Sequence, residues 1–111
     1  MSAMKFRIVS LASTNLQQVK GYSANLKGAL IINTNAAARF VKLYESTDAP
    51  TVGTTAPALT IEIPASSQLP LTWPDGINFS KTMWMATTVN VADSDATAVG
   101  AGDLYVQLFV E

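Results

Sequence analysis

The sequence predicts an all-β protein: an antiparallel β-sandwich, jelly-roll-like, of about eight short strands with two long loops. Two observations lead there. Apolar and polar residues alternate at period two over several short runs, most cleanly with Leu59, Ile61 and Ile63 against Thr60 and Glu62, the pattern of a strand with one buried face. These runs are separated by clusters of Gly, Pro, Asn, Asp and Ser rather than by helical segments, so nothing supplies the crossovers that a parallel sheet needs. An open barrel is the alternative way to close such strands.

In chain order, strands are expected at 4–9, 19–24, 26–33 and 39–45, the last with Val41 and Leu43 on one face and Phe40 and Tyr44 on the other, so that both faces call for cover. Further strands follow at 59–63, at 69–73 around Leu69, Leu71 and Trp73, from Ile77, at 83–91 and at 104–110, where Leu104, Val106, Leu108 and Val110 share a face. The core expected from these phases includes Leu43, Ile61, Leu71, Val89, Val106 and Leu108. Residues 14–19 could begin a short helix, but Gly21, Gly28 and neighbouring β-branched residues oppose a long one. Trp73-Pro74-Asp75-Gly76 puts Pro where φ is fixed near −65° and Gly where a positive φ is wanted. A tight reversal between Trp73 and Ile77 is the expectation.

One domain spanning 1–111 is expected, with 1–18 a candidate N-terminal arm. A chain of 111 residues buries roughly 60–70% of its unfolded surface on folding and needs no cross-link. Absence of Cys and His removes thiolate chemistry, the usual neutral-pH base and the commonest metal ligands. A formal charge of −1 with 14% charged residues lacks the basic footprint of a nucleic-acid binder. No run reaches the roughly 20 apolar residues of a membrane helix, and the start is too short in apolar residues for a signal sequence. A soluble, unprocessed protein with no nucleic-acid or membrane partner is the expectation.

Candidate chemistry is sparse. Asp93, Asp95 and Asp103 could offer oxygen ligands to calcium, but the Gly and bidentate Glu of a calcium-binding helix–loop–helix are missing, and no metal or other cofactor is expected. Two aspartates on one loop do not resemble glycosidase carboxylates facing each other across a cleft. With no G-x-S-x-G turn and no His, Ser and Thr have no activator beyond a Lys, so an enzyme is not expected. Trp73, Trp84, Tyr44 and Phe79, with Tyr22, could form a sugar-stacking platform, which keeps a carbohydrate-binding module as an alternative. Buried or interface anchors are the commoner use of such rings.

The two long connections, 46–57 and 93–102, exceed what compact domains usually leave unstructured. They share a pattern, DAPTVG at 48–53 and DATAVG at 95–100. Their mild chemistry suits contact loops, with Asp48, Ala49, Pro50, Thr51, Val52, Gly53, Asp95, Thr97 and Val99 as candidate contact residues and Trp73, Trp84, Tyr44 and Phe79 as candidate anchors. The runs RFVKLYE at 39–45, DAPTVGTTAP at 48–57, LTIEIPA at 59–65, DGINFS at 75–80 and DSDATAVGAGDLYVQLFVE at 93–111 together resemble a recurrent type of small virion structural protein of tailed bacteriophages. The resemblance covers roughly 26–111. It implies a non-enzymatic, multi-copy virion component made in the host bacterial cytoplasm: a capsid decoration or cement protein that docks on the shell, or a fibre, neck or tail subunit. The implied partners are a major capsid protein or tail and fibre components, with self-association into a homo-oligomer, a trimer if it sits on threefold positions.

Overall fold

A computed structural model of the chain describes residues 3–111. Eight strands follow one another: β1 Met4–Val9, β2 Gln17–Lys20, β3 Ala24–Asn33, β4 Arg39–Glu45, β5 Leu59–Ile63, β6 Ser67–Phe79, β7 Met83–Thr88 and β8 Leu104–Val110. No helix occurs among the described residues; of 14–19, residues 14–16 lead directly into β2 and 17–19 belong to it. Two four-stranded antiparallel sheets form, in the orders β1-β8-β3-β6 and β2-β7-β4-β5.

These orders follow from a simple rule. β1 pairs with β8, β2 with β7, β3 with β6 and β4 with β5, as if one long hairpin had been drawn out. Wrapping that hairpin brings β3 against β8 and β4 against β7, which closes each sheet. This is the double Greek key of a jelly roll. The sandwich expected from alternation is thus the fold observed, with closure by two facing sheets rather than by an open barrel.

Inward positions of both sheets meet in one core. Leu26, Ile31, Leu43, Ile63, Met83, Met85, Leu104, Val106 and Leu108 are fully buried within it. Of the expected core, Leu43, Val106 and Leu108 are fully enclosed, whereas Ile61, Leu71 and Val89 are partly buried and packed against it. Ile61 and Leu71 lie on the sheet-edge strands β5 and β6, where one flank has no neighbouring strand to cover it.

Two expectations are corrected. Residues 4–9 are not an arm: they pair with β8 from Met4 opposite Val110 to Val9 opposite Tyr105. Residues 1–2 lie outside the described residues. Nor does 73–76 reverse the chain; β6 runs through it. Leu26 pairs with Ile77 and Gly28 with Thr72, so residues 73–76 on β6 bulge opposite the single residue Lys27. Gly76 does take the positive φ that the turn pattern called for, +79°. Lys27 Nζ donates to the Pro74 carbonyl at 2.6 Å, so the ring that removes a ladder donor sits on an edge strand and in a bulge, the two places a sheet tolerates it.

Candidate functional site

Outward positions of the second sheet are where both long connections lie. Phe40, Lys42 and Tyr44 of β4 stand opposite Thr88, Ala86 and Trp84 of β7. All but Trp84 are buried, and Trp84 is half-buried. Connections 46–58 and 89–103 roof them. Lys42 Nζ donates to the carbonyls of Ala92 at 2.6 Å and Asp95 at 3.2 Å, which lets an ammonium sit at 0% exposure. Trp84 Nε1 donates to Ser46 O at 2.9 Å, and Thr88 Oγ1 to Asn90 O at 2.9 Å. The loops touch each other: a Cβ added to Gly53 would lie 3.2 Å from Ala96 Cβ and 3.2 Å from Ser94 O.

Each loop is also held by a carboxylate or a hydroxyl. Asp95 accepts from Thr97 Oγ1 at 2.7 Å and from Asn90 Nδ2 and Asn90 N at 3.1 Å each. Donation by the Thr97 hydroxyl, reinforced by Asn90, lowers the Asp95 carboxyl to about 2. Asp103 accepts from Gly100 N at 2.8 Å, Asn35 Nδ2 at 3.1 Å and Arg39 Nε at 3.2 Å. Burial pushes Asp103 upward, but these donors outweigh it and hold the carboxyl below its usual range. In the first loop, Thr55 Oγ1 accepts from Thr51 N at 3.0 Å. The similar strings at 48–53 and 95–100 fold differently, since Gly53 has φ +91° while Gly100 is not left-handed.

The candidate contact residues therefore divide. Pro50 and Val99 are buried, Val99 at 2% exposure within the main core, so neither offers surface. Asp95 is spent on its own loop. Asp48, Ala49, Thr51 and Thr97 are exposed, and Val52 and Gly53 are intermediate. The candidate aromatic anchors do not meet on the surface. Phe79 is in the core, Trp73 packs against the core from β6, and Tyr44 and Trp84 lie under the roof. The Tyr44 hydroxyl is buried with no hydrogen-bond partner; burial, then the nearby Asp93 charge, raises its pKa. Among the described residues no three acidic side chains converge as metal ligands.

Among the described residues, none roofs the outward positions of the first sheet as the long connections roof the second. Register lines them up in three rows: Lys5, Phe109, Gly28 and Thr72; Arg7, Gln107, Leu30 and Pro70; Val9, Tyr105, Ile32 and Gln68. The Arg7 guanidinium lies 5.8 Å from the Tyr105 ring centroid. Sequence reading missed this surface, although its signal was present: Tyr105 and Phe109 occupy the phase opposite the core residues of the last strand.

A third feature is the connection from β1 to β2. Ser10 anchors its start, donating through Oγ to Gly100 O at 2.9 Å and accepting from Leu104 N at 3.0 Å. Asn15, at φ +54°, donates to Leu11 O at 3.1 Å and Thr87 Oγ1 at 2.8 Å. Between these pins lies a cavity of about 420 Å³ lined by Ile8, Val9, Leu11, Thr14, Leu16 and Gln17 among others. Leu11 is 69% exposed beside it.

Comparison with known proteins adds nothing to this geometry: no family model, no curated protein and no solved structure matches the chain.

Proposed function

We propose that the protein is a non-enzymatic structural subunit of a bacteriophage virion that docks on the shell and stabilises it, as a capsid decoration or cement protein does. The observation that carries the docking reading is the β1–β2 cavity. Ile8, Val9, Leu11, Ser13, Thr14, Asn15, Leu16 and Gln17 line it, without one ionisable side chain. Such a lining has no ionisable group to act as acid or base or to activate the Ser13 and Thr14 hydroxyls; it suits an apolar side chain of a partner, with Ser, Thr, Asn and Gln orienting it. The sequence resemblance supplies the class of partner, a capsid or tail protein, and the jelly roll is a fold that viral capsid proteins use, an argument by analogy of fold. A subunit of this kind works in many copies, so weak single contacts gain from avidity.

The test mixes purified protein with phage heads, tails or fibres lacking it and measures bound copies by sedimentation. Saturable binding to heads is expected, weakened at least tenfold by Leu11→Asp with Leu16→Asp, both exposed positions whose replacement leaves the core intact. A folded parent that binds none of the three assemblies refutes the proposal.

A further inference from the structure

We infer that the protein self-associates face to back: the bare outer face of the first sheet of one copy seats on the loop roof of the next. The occupant of the bare face is thus a second copy of this chain. The inference is independent of the virion reading; its face shares only Val9 with the β1–β2 cavity and none of the flanking leucines.

Charge is the first argument. The twelve residues of the three outward rows on the first sheet include two cations, Lys5 and Arg7, and no carboxylate. Lys5 and Arg7 are both exposed. On the opposite side, the roof segments 46–58 and 89–103 contain Asp48, Asp93, Asp95 and Asp103 and no Lys or Arg. The cation beneath the roof, Lys42, is sealed inside by its carbonyl partners. Of the four aspartates, Asp48 and Asp93 stand exposed. The chain has therefore placed Lys5 and Arg7 on one side and Asp48 and Asp93 on the other, with Glu111 beyond the three rows at the end of β8, and complementary patches both attract and set register. Two bare faces meeting each other would bring Lys5 and Arg7 together with only Glu111, at the end of β8, to answer them.

Shape is the second argument. The bare face presents Leu30, Ile32, Tyr105 and Phe109 as partly exposed side chains, whereas the roof is paved with exposed small residues such as Ala49, Thr51, Thr54, Ala92, Ala96 and Ala98. Large side chains against a floor of mostly small residues, from which Val91 also projects, can close without clash. The two longer dimensions of the molecule are 37 and 28 Å, and a face of that span offers on the order of 800 Å² per partner, the size of a standard stable interface. Because the two surfaces differ, the contact is heterologous, and because they lie on opposite sides of the sandwich it propagates as a column rather than closing as a twofold dimer.

Charge reversal gives the decisive experiment. One variant carries Lys5→Glu and Arg7→Glu on the face; another carries Asp48→Lys and Asp93→Lys on the roof. Sedimentation velocity should show concentration-dependent association of the parent, weakened about tenfold or more by raising salt from about 0.05 to 0.5 M, where exposed charges are screened. Each variant alone should remain monomeric, and an equimolar mixture should recover association, since each reversed surface then meets its complement. The inference is overturned if the folded parent stays monomeric throughout, if the roof variant associates as the parent does, or if mixing restores nothing. Circular dichroism of both variants checks folding, and salt dependence of the parent tests the same contact without any substitution.

Discussion

The two sheets of this sandwich present outward residues of similar kind and meet different fates. On the second sheet Phe40, Lys42 and Tyr44 are sealed; on the first, Leu30, Ile32, Tyr105 and Phe109 are left half open. Local pattern does not separate them, because with Ala86 on the second sheet and Gln107 on the first both faces carry aromatic, aliphatic and polar residues in strands whose other phase is core. What separates them is connection length. The 46–58 and 89–103 segments leave β4 and β7, both in the second sheet, with enough chain to fold back over it. The difference teaches that an outward strand residue is buried when a connection of its sheet is long enough to fold back over it, so burial there is a property of topology.

The largest test of that contrast is Lys42→Ala. It removes the partner of two roof carbonyls and empties the volume of a long buried side chain under the roof, and about 3 kcal/mol should be lost in urea unfolding. If Leu30→Ala, at an outward position of the bare sheet, costs as much, the roof is not what distinguishes the faces. Next comes Gly76→Ala in the β6 bulge. A Cβ there would fall within 2.5 Å of the Asn25 side chain, at a φ of +79°, and a loss of about 2 kcal/mol by the same measurement is expected. That result would show the bare sheet to be rigid at its bulge although uncovered.

Acid should act on the roof first. Asp95 titrates at about 2 in the folded chain against 3.8 for the unperturbed group. A depressed carboxyl contributes stability that is present above its unfolded pKa and is lost as pH falls through the folded one. Stability should therefore decline between about pH 4 and pH 2, with Asp103 and Glu45, whose carboxyls are also lowered, contributing in the same direction. Asp95→Asn should flatten part of that decline when urea midpoints are compared at pH 7, 4 and 2.5. An unchanged slope would mean that the loop carboxylate does not hold the roof.

A smaller effect of opposite sign is expected at Tyr44. Its hydroxyl is buried without a partner, so Tyr44→Phe keeps the ring and removes the polar atom. Melting should stay level or rise by about 1 kcal/mol equivalent. Smallest of all, Leu30→Thr should stay within about 0.5 kcal/mol of the parent, since a β-branched residue suits an open strand face.

Strand phases were legible from residues alone because alternation is written locally: Leu59, Ile61 and Ile63 face inward as their spacing requires, and β8 follows Leu104, Val106, Leu108 and Val110 without interruption. Trp73-Pro74-Asp75-Gly76 was misread for a physical reason. Its dihedral preferences suit a turn and a bulge alike, and the choice is made by β3, which lies opposite and supplies Lys27 to the Pro74 carbonyl. Loop length was visible and loop destination was not. Nothing within 89–103 announces that the Ala92 and Asp95 carbonyls will cap a lysine on β4, nor that Val99 will enter the core. Phe40 and Tyr44 already called for cover on that face, and it is there, but Lys42 between them reads as a solvent-facing residue until its ceiling is known.

The pairing of β1 with β8 has a further consequence, in time rather than space. β8 lies between β1 and β3 in the first sheet, yet it follows both in sequence, Met4 meeting Val110 across more than a hundred residues. During synthesis β1 and β3 must wait with unsatisfied edges until the segment that separates them has emerged. Distant pairings of this sort make folding slow, because closure entropy is spent before contacts repay it. A chain stalled before Leu104 would hold two exposed strand edges with no filler between them, the condition under which nascent β proteins aggregate. Crowded copies emerging together from neighbouring ribosomes would meet at those edges before each had closed its own sheet.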